Sequence, residues 1–256
     1  MKVTVYISIL VLAFLTGFYS CKKDPSPPVD IGYNYFPDQA GRYIVYNVDS
    51  VFYNGNYSPA RKDSFKFQIK EKIESIFTDN QGRPTMRLER YVKYYNKNIP
   101  YSDVSWQLRD VWMQNKTLKT AEKVEENIRY VKLVFPANED VVWNGNINNT
   151  EDAENYKYNF IDQPRTIGNI LFDSVLQVDQ HSETNLIIQK IYEEKYARNT
   201  GMIYKRVINV DSQYPNEWNT NPFIAESLAI FYNDDILKRA SSGFQYTMTV
   251  ATFGTE

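Results

Sequence analysis

Hydrophobic and polar residues alternate along much of the chain with a period of two, the repeat of a half-buried β-strand. Phe65, Phe67, Ile69 and Ile73 alternate with Ser64, Lys66, Gln68, Lys70, Lys72 and Glu74, and only Glu71 stands on the apolar parity. Upstream, Ile44, Tyr46, Val48 and Phe52 share one parity with Asn47 and Asp49 on the other, although Arg42 and Ser50 interrupt the apolar set. Asn54-Gly55 reads as a turn. Residues Asn80-Gln81-Gly82-Arg83-Pro84 turn the chain back into Met86, Leu88, Val92 and Tyr94, set against Arg87, Glu89 and Lys93. Alternating segments in series, each bounded by turn residues, predict an antiparallel meander.

The pattern continues less evenly. Asn96 to Asp103 is a polar loop. Val104, Trp106 and Leu108 share a face, which places Trp106 in the core, and the apolar parity then slips to Val111 and Met113. That slip predicts a β-bulge near Asp110. Lys116 to Glu126 is charged and reads as an exposed edge hairpin, whereas Ile128 to Phe135 is apolar on both parities, as a strand covered on both faces should be. Pro136 to Asn155, rich in Asn, Asp and Glu, reads as a long surface loop. A strand begins at Tyr156, Tyr158 and Phe160 and is expected to break at Gln163-Pro164. Ile170 to Asp179, Leu186 to Glu193 and Met202 to Val210 are further strands, the second also compatible with helical spacing. Asn221-Pro222 opens a predicted helix through Ile224, Leu228 and Phe231. A second, short helix is predicted from Asp235 to Ser242, capped by Asn233 or Asp234. Gly243 to Phe253 closes the series, with Phe244, Tyr246, Met248 and Val250 opposing Gln245, Thr247 and Thr249.

The expected fold is therefore all-β with minor α, in a single domain over residues 33–256. It is a curved antiparallel sheet of about eight to eleven strands or a partly closed β-barrel, with one or two short C-terminal helices. The concave, aromatic-rich face of such a sheet is either plugged or left as a pocket for an apolar ligand.

The N-terminus departs from this pattern. After Met1 and Lys2, Val3 to Leu15 is nearly uninterrupted apolar sequence. It is shorter than the roughly 20 residues that span a bilayer, and it reads as the apolar region of a signal peptide. Gly17-Phe18-Tyr19-Ser20-Cys21 resembles a bacterial lipobox, with Phe18 and Tyr19 bulkier than that pattern usually carries. On this reading residues 1–20 are a lipoprotein signal peptide, Cys21 is acylated, and residues 21–32 form a Pro-rich spacer. The alternative is an uncleaved anchor helix with a passive thiol at Cys21. Acyl chains contribute about 0.8 kcal/mol per buried CH₂, so several chains on Cys21 attach the protein essentially permanently. The expected location is the outer membrane, facing periplasm or exterior. Lys22, not Asp, follows the cysteine, which argues against retention at the inner membrane.

Composition narrows the chemistry. The 256 residues carry 29 Lys and Arg against 31 Asp and Glu, with no polybasic block, so no electrostatic footprint for nucleic acid exists. Cys21 is the one cysteine; once acylated it leaves no thiol for disulfides, zinc–thiolate sites or cysteine nucleophiles. Neither GxGxxG nor GxxxxGK[ST] occurs, and no cofactor is expected. His181, the sole histidine, falls in the polar run DQHSET and reads as a surface residue in a turn, with no GxSxG beside which it would serve. Glu125-Glu126, Glu193-Glu194 and Asp234-Asp235 are neighbours that a strand sends to opposite faces, so they read as solvated charges. A paired-acid glycosidase would need two carboxylates at a defined separation. The Asn138 to Asp152 stretch lacks a D-x-D-x-D-G pattern and reads as a loop without metal. Trp143, Trp218 and Tyr214, aromatic residues in polar loops, are the candidate ligand-stacking surface. Asp49-Ser50-Val51 and Asp173-Ser174-Val175 resemble the D-S/T-aliphatic O-glycosylation signal of Bacteroidota-type envelopes, making Ser50 and Ser174 candidate glycosylation sites.

Three patches carry a wider resemblance: YFPDQAGRYIVYNVDS at Tyr35 to Ser50, the FDSVLQV and YARNTGMIYK pair between Phe172 and Lys205, and GFQYTMTVATFG from Gly243. Together the set resembles uncharacterised envelope lipoproteins of Bacteroidota-type bacteria. The resemblance implies an envelope location and a β-rich fold, and it assigns no catalytic residue. The first functional expectation is a non-catalytic, lipid-anchored envelope protein that binds an apolar ligand, a glycan or a protein partner. A structural or assembly component making only protein contacts comes second, and a carboxylate-dependent glycoside hydrolase third. The expected partners are the membrane, through Cys21, and a lipid, glycan or envelope protein, not nucleic acid.

Overall fold

A computed structural model describes residues 29–57, 60–212 and 235–256. The first strands are β1 (Arg42–Asn54), β2 (Arg61–Thr78), β3 (Pro84–Tyr94), β4 (Gln107–Lys116), β5 (Thr120–Glu125) and β6 (Ile128–Val134). They are followed by β7 (Val142–Asn144), β8 (Asn155–Ile167), β9 (Ile170–Thr184), β10 (Ile188–Ala197), β11 (Gly201–Asp211) and β12 (Ser242–Thr255), with helix α1 (Ile236–Arg239) just before the last. All twelve lie in one sheet of order β6-β5-β4-β3-β2-β1-β12-β11-β10-β9-β8-β7. Two meanders thus join where the first strand pairs with the last, Arg42 opposite Thr255 and Tyr53 opposite Gly243.

The outermost strands of that order, β6 and β7, are consecutive in the chain, and they come back together. Val131 N–H donates to the Gly145 carbonyl at 2.8 Å. The Trp143 indole donates to the Val131 carbonyl at 2.8 Å. The Tyr158 hydroxyl donates to the Val134 carbonyl at 2.7 Å and accepts from Val134 N–H at 3.0 Å. Few regular ladder bonds are available at this seam, so side chains satisfy the edge instead. The result is a nearly closed, barrel-like sheet, all-β as the alternation predicts. It has one strand beyond the expected range because β7 lies inside the Asn-rich stretch read as loop.

Several local expectations meet the structure directly. The parity slip near Asp110 is a bulge: the β3–β4 register shifts between Arg90 and Tyr91, which oppose Asp110 and Leu108, leaving Arg109 as the extra residue. Pro164 does not end β8. Asp162 at φ 54 and register shifts on both sides of Gln163 bend the strand past a residue that cannot donate to a ladder. The strand β9 runs on to Thr184, so His181 is a strand residue and not in a turn. Trp106 precedes β4 and is only half-buried, with the Lys93 ammonium 5.0 Å from its ring. The predicted helix over 221–231 lies outside the described residues. The second is α1, capped by Asp235, whose carboxylate accepts from Leu237 N–H at 3.0 Å. Its Ile236 and the following Ala240 pack on Tyr53, Ile208 and Val210. At Gly243, φ is 100° and a Cβ would stand 2.1 Å from the Asn209 carbonyl oxygen, so no other residue fits.

One end of the barrel is plugged from within the chain. Residues 31–39 make a 3-10 turn at Tyr33–Tyr35 and bury Tyr35 and Phe36. The Lys116 ammonium donates to the Phe36 carbonyl at 2.8 Å and the Tyr33 carbonyl at 3.3 Å, and pairs with Asp38 at 2.8 Å. Arg198 holds Asn34 through Nη1 at 2.7 Å and Asp162 through Nη2 at 2.7 Å, with its guanidinium over the Tyr35 ring. The other end, where β1, β3 and β11 finish, carries the site described next.

Candidate functional site

The inward face of β2, β1 and β12 is built in cross-strand rows, as an antiparallel register requires. Phe52 opposes Phe244 at the brim. One row deeper, Ser50 opposes Phe65 and Tyr246, and below them Val48 opposes Phe67 and Met248. Phe67 in turn faces Tyr94 on β3, ring centroids 5.7 Å apart. Deeper still, Tyr46 and Ile69 close the apolar part.

Beneath these rows the lumen turns ionic. On β2, β3 and β4, Glu71, Arg90 and Asp110 stand directly opposite one another. Arg90 donates from Nε to Glu71 and from Nη1 to Asp110, each at 2.9 Å, while Lys123 reaches the other Glu71 oxygen at 2.8 Å. The Arg90 guanidinium lies 3.5 Å from the centre of the Trp112 ring. A second group spans the barrel. Lys132 on β6 pairs with Glu125 at 3.0 Å and with Glu194 on β10 at 3.1 Å; Lys205 on β11 lies 3.2 Å from Glu194 and 3.7 Å from Glu125. These pairs tie one meander to the other across the interior.

Lys132 is 3% exposed and Glu194 1%. Charges so deeply buried persist only when paired and hydrogen-bonded. Burial pushes the Glu71 carboxyl up, but Lys123 and Arg90 outweigh it and hold it below the usual carboxylate range. Burial likewise opposes ionisation of Glu194, yet Lys132 and Lys205 bring it down to about 2. For Lys132, burial disfavours the charge, and Glu125 and Glu194 more than compensate, so its pKa rises well above the ordinary value. Glu125 and Glu194, read from sequence as solvated charges, are thus internal ions. The Lys116 to Glu126 stretch is not an exposed hairpin either, since Ala121, Glu122, Lys123 and Val124 are all buried. Charge along a strand was read as solvent exposure, and that reading has no term for a polar interior.

The ion groups divide the lumen. Glu71, Lys123, Glu125 and Met202 line a small cavity of about 50 Å³ toward the plugged end and, on their other side, a cavity of about 400 Å³. The larger cavity is walled by Phe67, Trp112, Tyr246 and Met248, with Arg109 and Glu126 near its opening. Beyond it, the inward parity of the sheet continues into solvent: Phe52 is 49% exposed, Phe65 56%, Tyr94 57% and Phe244 38%. Four large aromatic side chains thus lie exposed on one continuous face.

Some polar groups of this cavity are engaged and others are not. Arg109 Nε forms an ion pair with Asp110 at 3.2 Å, and its terminal nitrogens meet no acceptor among the described residues. Glu126 accepts from the Trp112 indole at 3.2 Å and forms no ion pair among the described residues. The hydroxyls of Ser50 and Tyr246 line the same space without a hydrogen-bond partner among the described residues. Burial pushes the Tyr246 phenol up to about 12, against Arg90, so it is a hydrogen-bond donor at neutral pH.

The residues singled out in the sequence fall elsewhere. Trp143 is no loop residue: it sits in β7, 9% exposed, with its ring 4.8 Å from Tyr158 and 6.0 Å from Tyr156, and it holds the seam. Trp218, Tyr214 and Cys21 lie outside the described residues. Ser50 faces the lumen cavity. The Ser174 hydroxyl accepts from Arg198 Nε at 2.9 Å, lies 2.7 Å from the Tyr35 hydroxyl and donates to Asp162. His181 Nδ1 lies 3.0 Å from Glu154, and its ring packs beside Tyr192. Sequence reasoning missed Arg109 and the aromatic brim, and it read Glu126 as a solvated charge. The signals for them were present: the slip that makes Arg109 a bulge residue, Glu71 on an apolar parity, and apolar residues at strand ends where the core has run out.

Fold and cavity together define an antiparallel barrel-like protein with one end plugged, an ionic partition, and one aromatic mouth. Neither a family model nor a curated protein matches the sequence.

Proposed function

We propose that this chain is a non-catalytic, lipid-anchored binding protein of a bacterial envelope, tethered through Cys21, whose barrel mouth receives a ligand. The observation that carries the reading is the brim. The inward face of β12, β1 and β2 runs without interruption from buried core, through a cavity of about 400 Å³, to exposed Phe52, Phe65 and Phe244. Cavities of this size take small ligands, and exposed aromatics at the edge of one are costly unless something covers them. The chemistry of the wall favours binding over hydrolysis. Glu71 and Glu125 face the same cavity, but their lysine and arginine partners keep both ionised. Neither holds the proton that a general acid must give to a leaving group, and the third carboxylate of the wall, Glu126, accepts from the Trp112 indole.

The tether is tested by labelling. Radiolabelled fatty acid enters the protein in its own envelope and fails to enter Cys21→Ser; equal labelling of the variant refutes the anchor. Binding is tested by native mass spectrometry of protein extracted from that envelope. An added mass is expected on the native chain. It should be absent from Ser50→Trp, whose indole projects into the cavity beneath the brim, provided the circular dichroism spectrum is unchanged. A bare native chain, or an adduct retained by a folded Ser50→Trp, overturns the reading.

A further inference from the structure

Two opposite charges face the larger cavity without facing each other. Arg109 and Glu126 both line it, and no ion pair joins them among the described residues. The other charged groups of the wall are already committed: Arg90 and Lys123 to Glu71, and Glu125 to Lys132 and Lys205. Each of the two open groups has one anchoring contact. Arg109 is held by Asp110 on β4, and Glu126 by the indole of Trp112, three positions further along the same strand. At about 3.3 Å per residue, those backbone positions are roughly 10 Å apart. Glu126 reaches Trp112 from the β5–β6 turn, so both charged groups border the same space.

The surrounding donors and surfaces point the same way. The Tyr246 and Ser50 hydroxyls share this cavity with Arg109 and have no hydrogen-bond partner among the described residues. A guanidinium with two hydroxyl donors suits a phosphate oxyanion. A carboxylate with no cation beside it among the described residues suits an ammonium. Above both, Phe52, Phe65 and Phe244 offer an apolar face that opens from the cavity to solvent. A purely apolar ligand would leave both open charges without a partner. A free polar head group would leave the aromatic brim uncovered.

We infer that the lumen takes a zwitterionic amphiphile: its phosphate at Arg109, Tyr246 and Ser50, its ammonium at Glu126, and its apolar chain laid over Phe65, Phe52 and Phe244. This deepens, and rests on, the reading of the barrel mouth as a binding site. Glu126 sets the choice between zwitterion and simple anion, because a fatty acid satisfies Arg109 but brings a like charge toward Glu126.

Four probes of matched size separate the cases: a monoacyl phosphoethanolamine below its micelle concentration, the fatty acid of the same chain length, the alkyl glucoside of that length, and free phosphoethanolamine. Binding is read by isothermal calorimetry on the full chain, held in amphipol so that no detergent competes. The monoacyl phosphoethanolamine should bind at least tenfold tighter than each of the other three. Glu126→Gln should remove its advantage over the fatty acid while leaving fatty-acid binding equal or tighter. Arg109→Gln should weaken both at least tenfold. Both variants alter groups at the cavity opening and are expected to keep the native unfolding midpoint. Equal affinity for zwitterion, fatty acid and glucoside overturns the inference but leaves a binding mouth in place. So does a zwitterion preference unmoved by Glu126→Gln in a folded variant. Absence of binding by all four, together with a bare native mass, overturns both.

Discussion

Replacing Lys132 by Met probes the ion group that spans the barrel. The ammonium is 3% exposed and is shared between Glu125 at 3.0 Å and Glu194 at 3.1 Å. Methionine has nearly the same length, so the change removes a charge and leaves little void. It strands two buried carboxylates with Lys205 as their remaining cation, at 3.7 and 3.2 Å. Removing one partner of a buried ion pair costs about 3–5 kcal/mol, most of it from the uncompensated charge left behind. At about 2–4 °C per kcal/mol for a domain of this size, Tm should fall by roughly 6–20 °C. The second half of the experiment is Lys132→Met combined with Glu194→Gln. It removes one stranded carboxylate yet keeps an acceptor for the Tyr196 hydroxyl, which donates to Glu194 at 2.6 Å. The double variant should therefore be more stable than the single one. Urea unfolding followed by fluorescence measures both, with the slope m checked for constancy. A loss below about 1 kcal/mol in Lys132→Met, or a double variant less stable than the single, refutes a paired ionic partition.

Other consequences are separable. Glu71, Glu125 and Glu194 all have folded-state values lowered from the ordinary 4.5. Their contribution is therefore complete above pH 4.5 and is lost as pH falls through the folded values, near 2 for Glu194. Thermal unfolding scanned from pH 6 to pH 2 should show Tm dropping below the ordinary carboxylate range; a flat profile there contradicts the sign. Tyr158→Phe removes both seam bonds to Val134 and should cost about 1–3 kcal/mol. Hydrogen exchange should then speed up in β6 and β7 while β1 and β12 keep their protection, and a uniform change would show that the seam is not a separate weak point.

What could be read from the chain, and what could not, follows one physical line. Strands were legible wherever one face is apolar and the other wet, because burial then writes a period of two into the sequence. That is why β2, β3 and β12 appear where predicted, and why the Arg109 bulge was visible as a slip. The pattern fails where the interior itself is polar. Glu122, Lys123 and Glu125 looked solvated because charge along a strand ordinarily means solvent. Their partners Arg129, Glu71 and Lys132 come from other strands, Glu71 from across the lumen, and such pairing leaves no mark on local sequence. Trp143 failed for the opposite reason. Its neighbours are polar, yet its ring meets Tyr156 and Tyr158 only because β7 returns to close the seam. The brim was hidden in plain alternation, since a strand that outruns its core keeps the same apolar parity as one that does not.

Side-chain footprinting by hydroxyl radicals asks most directly whether the mouth is a binding surface. The protein is labelled once in its native envelope and once after purification and stripping of bound molecules. Phe52, Phe65 and Phe244 should be shielded in the envelope and reactive afterwards, while Leu118, 81% exposed and away from the brim, reacts alike in both. Equal labelling of the brim in the two states would contradict the account.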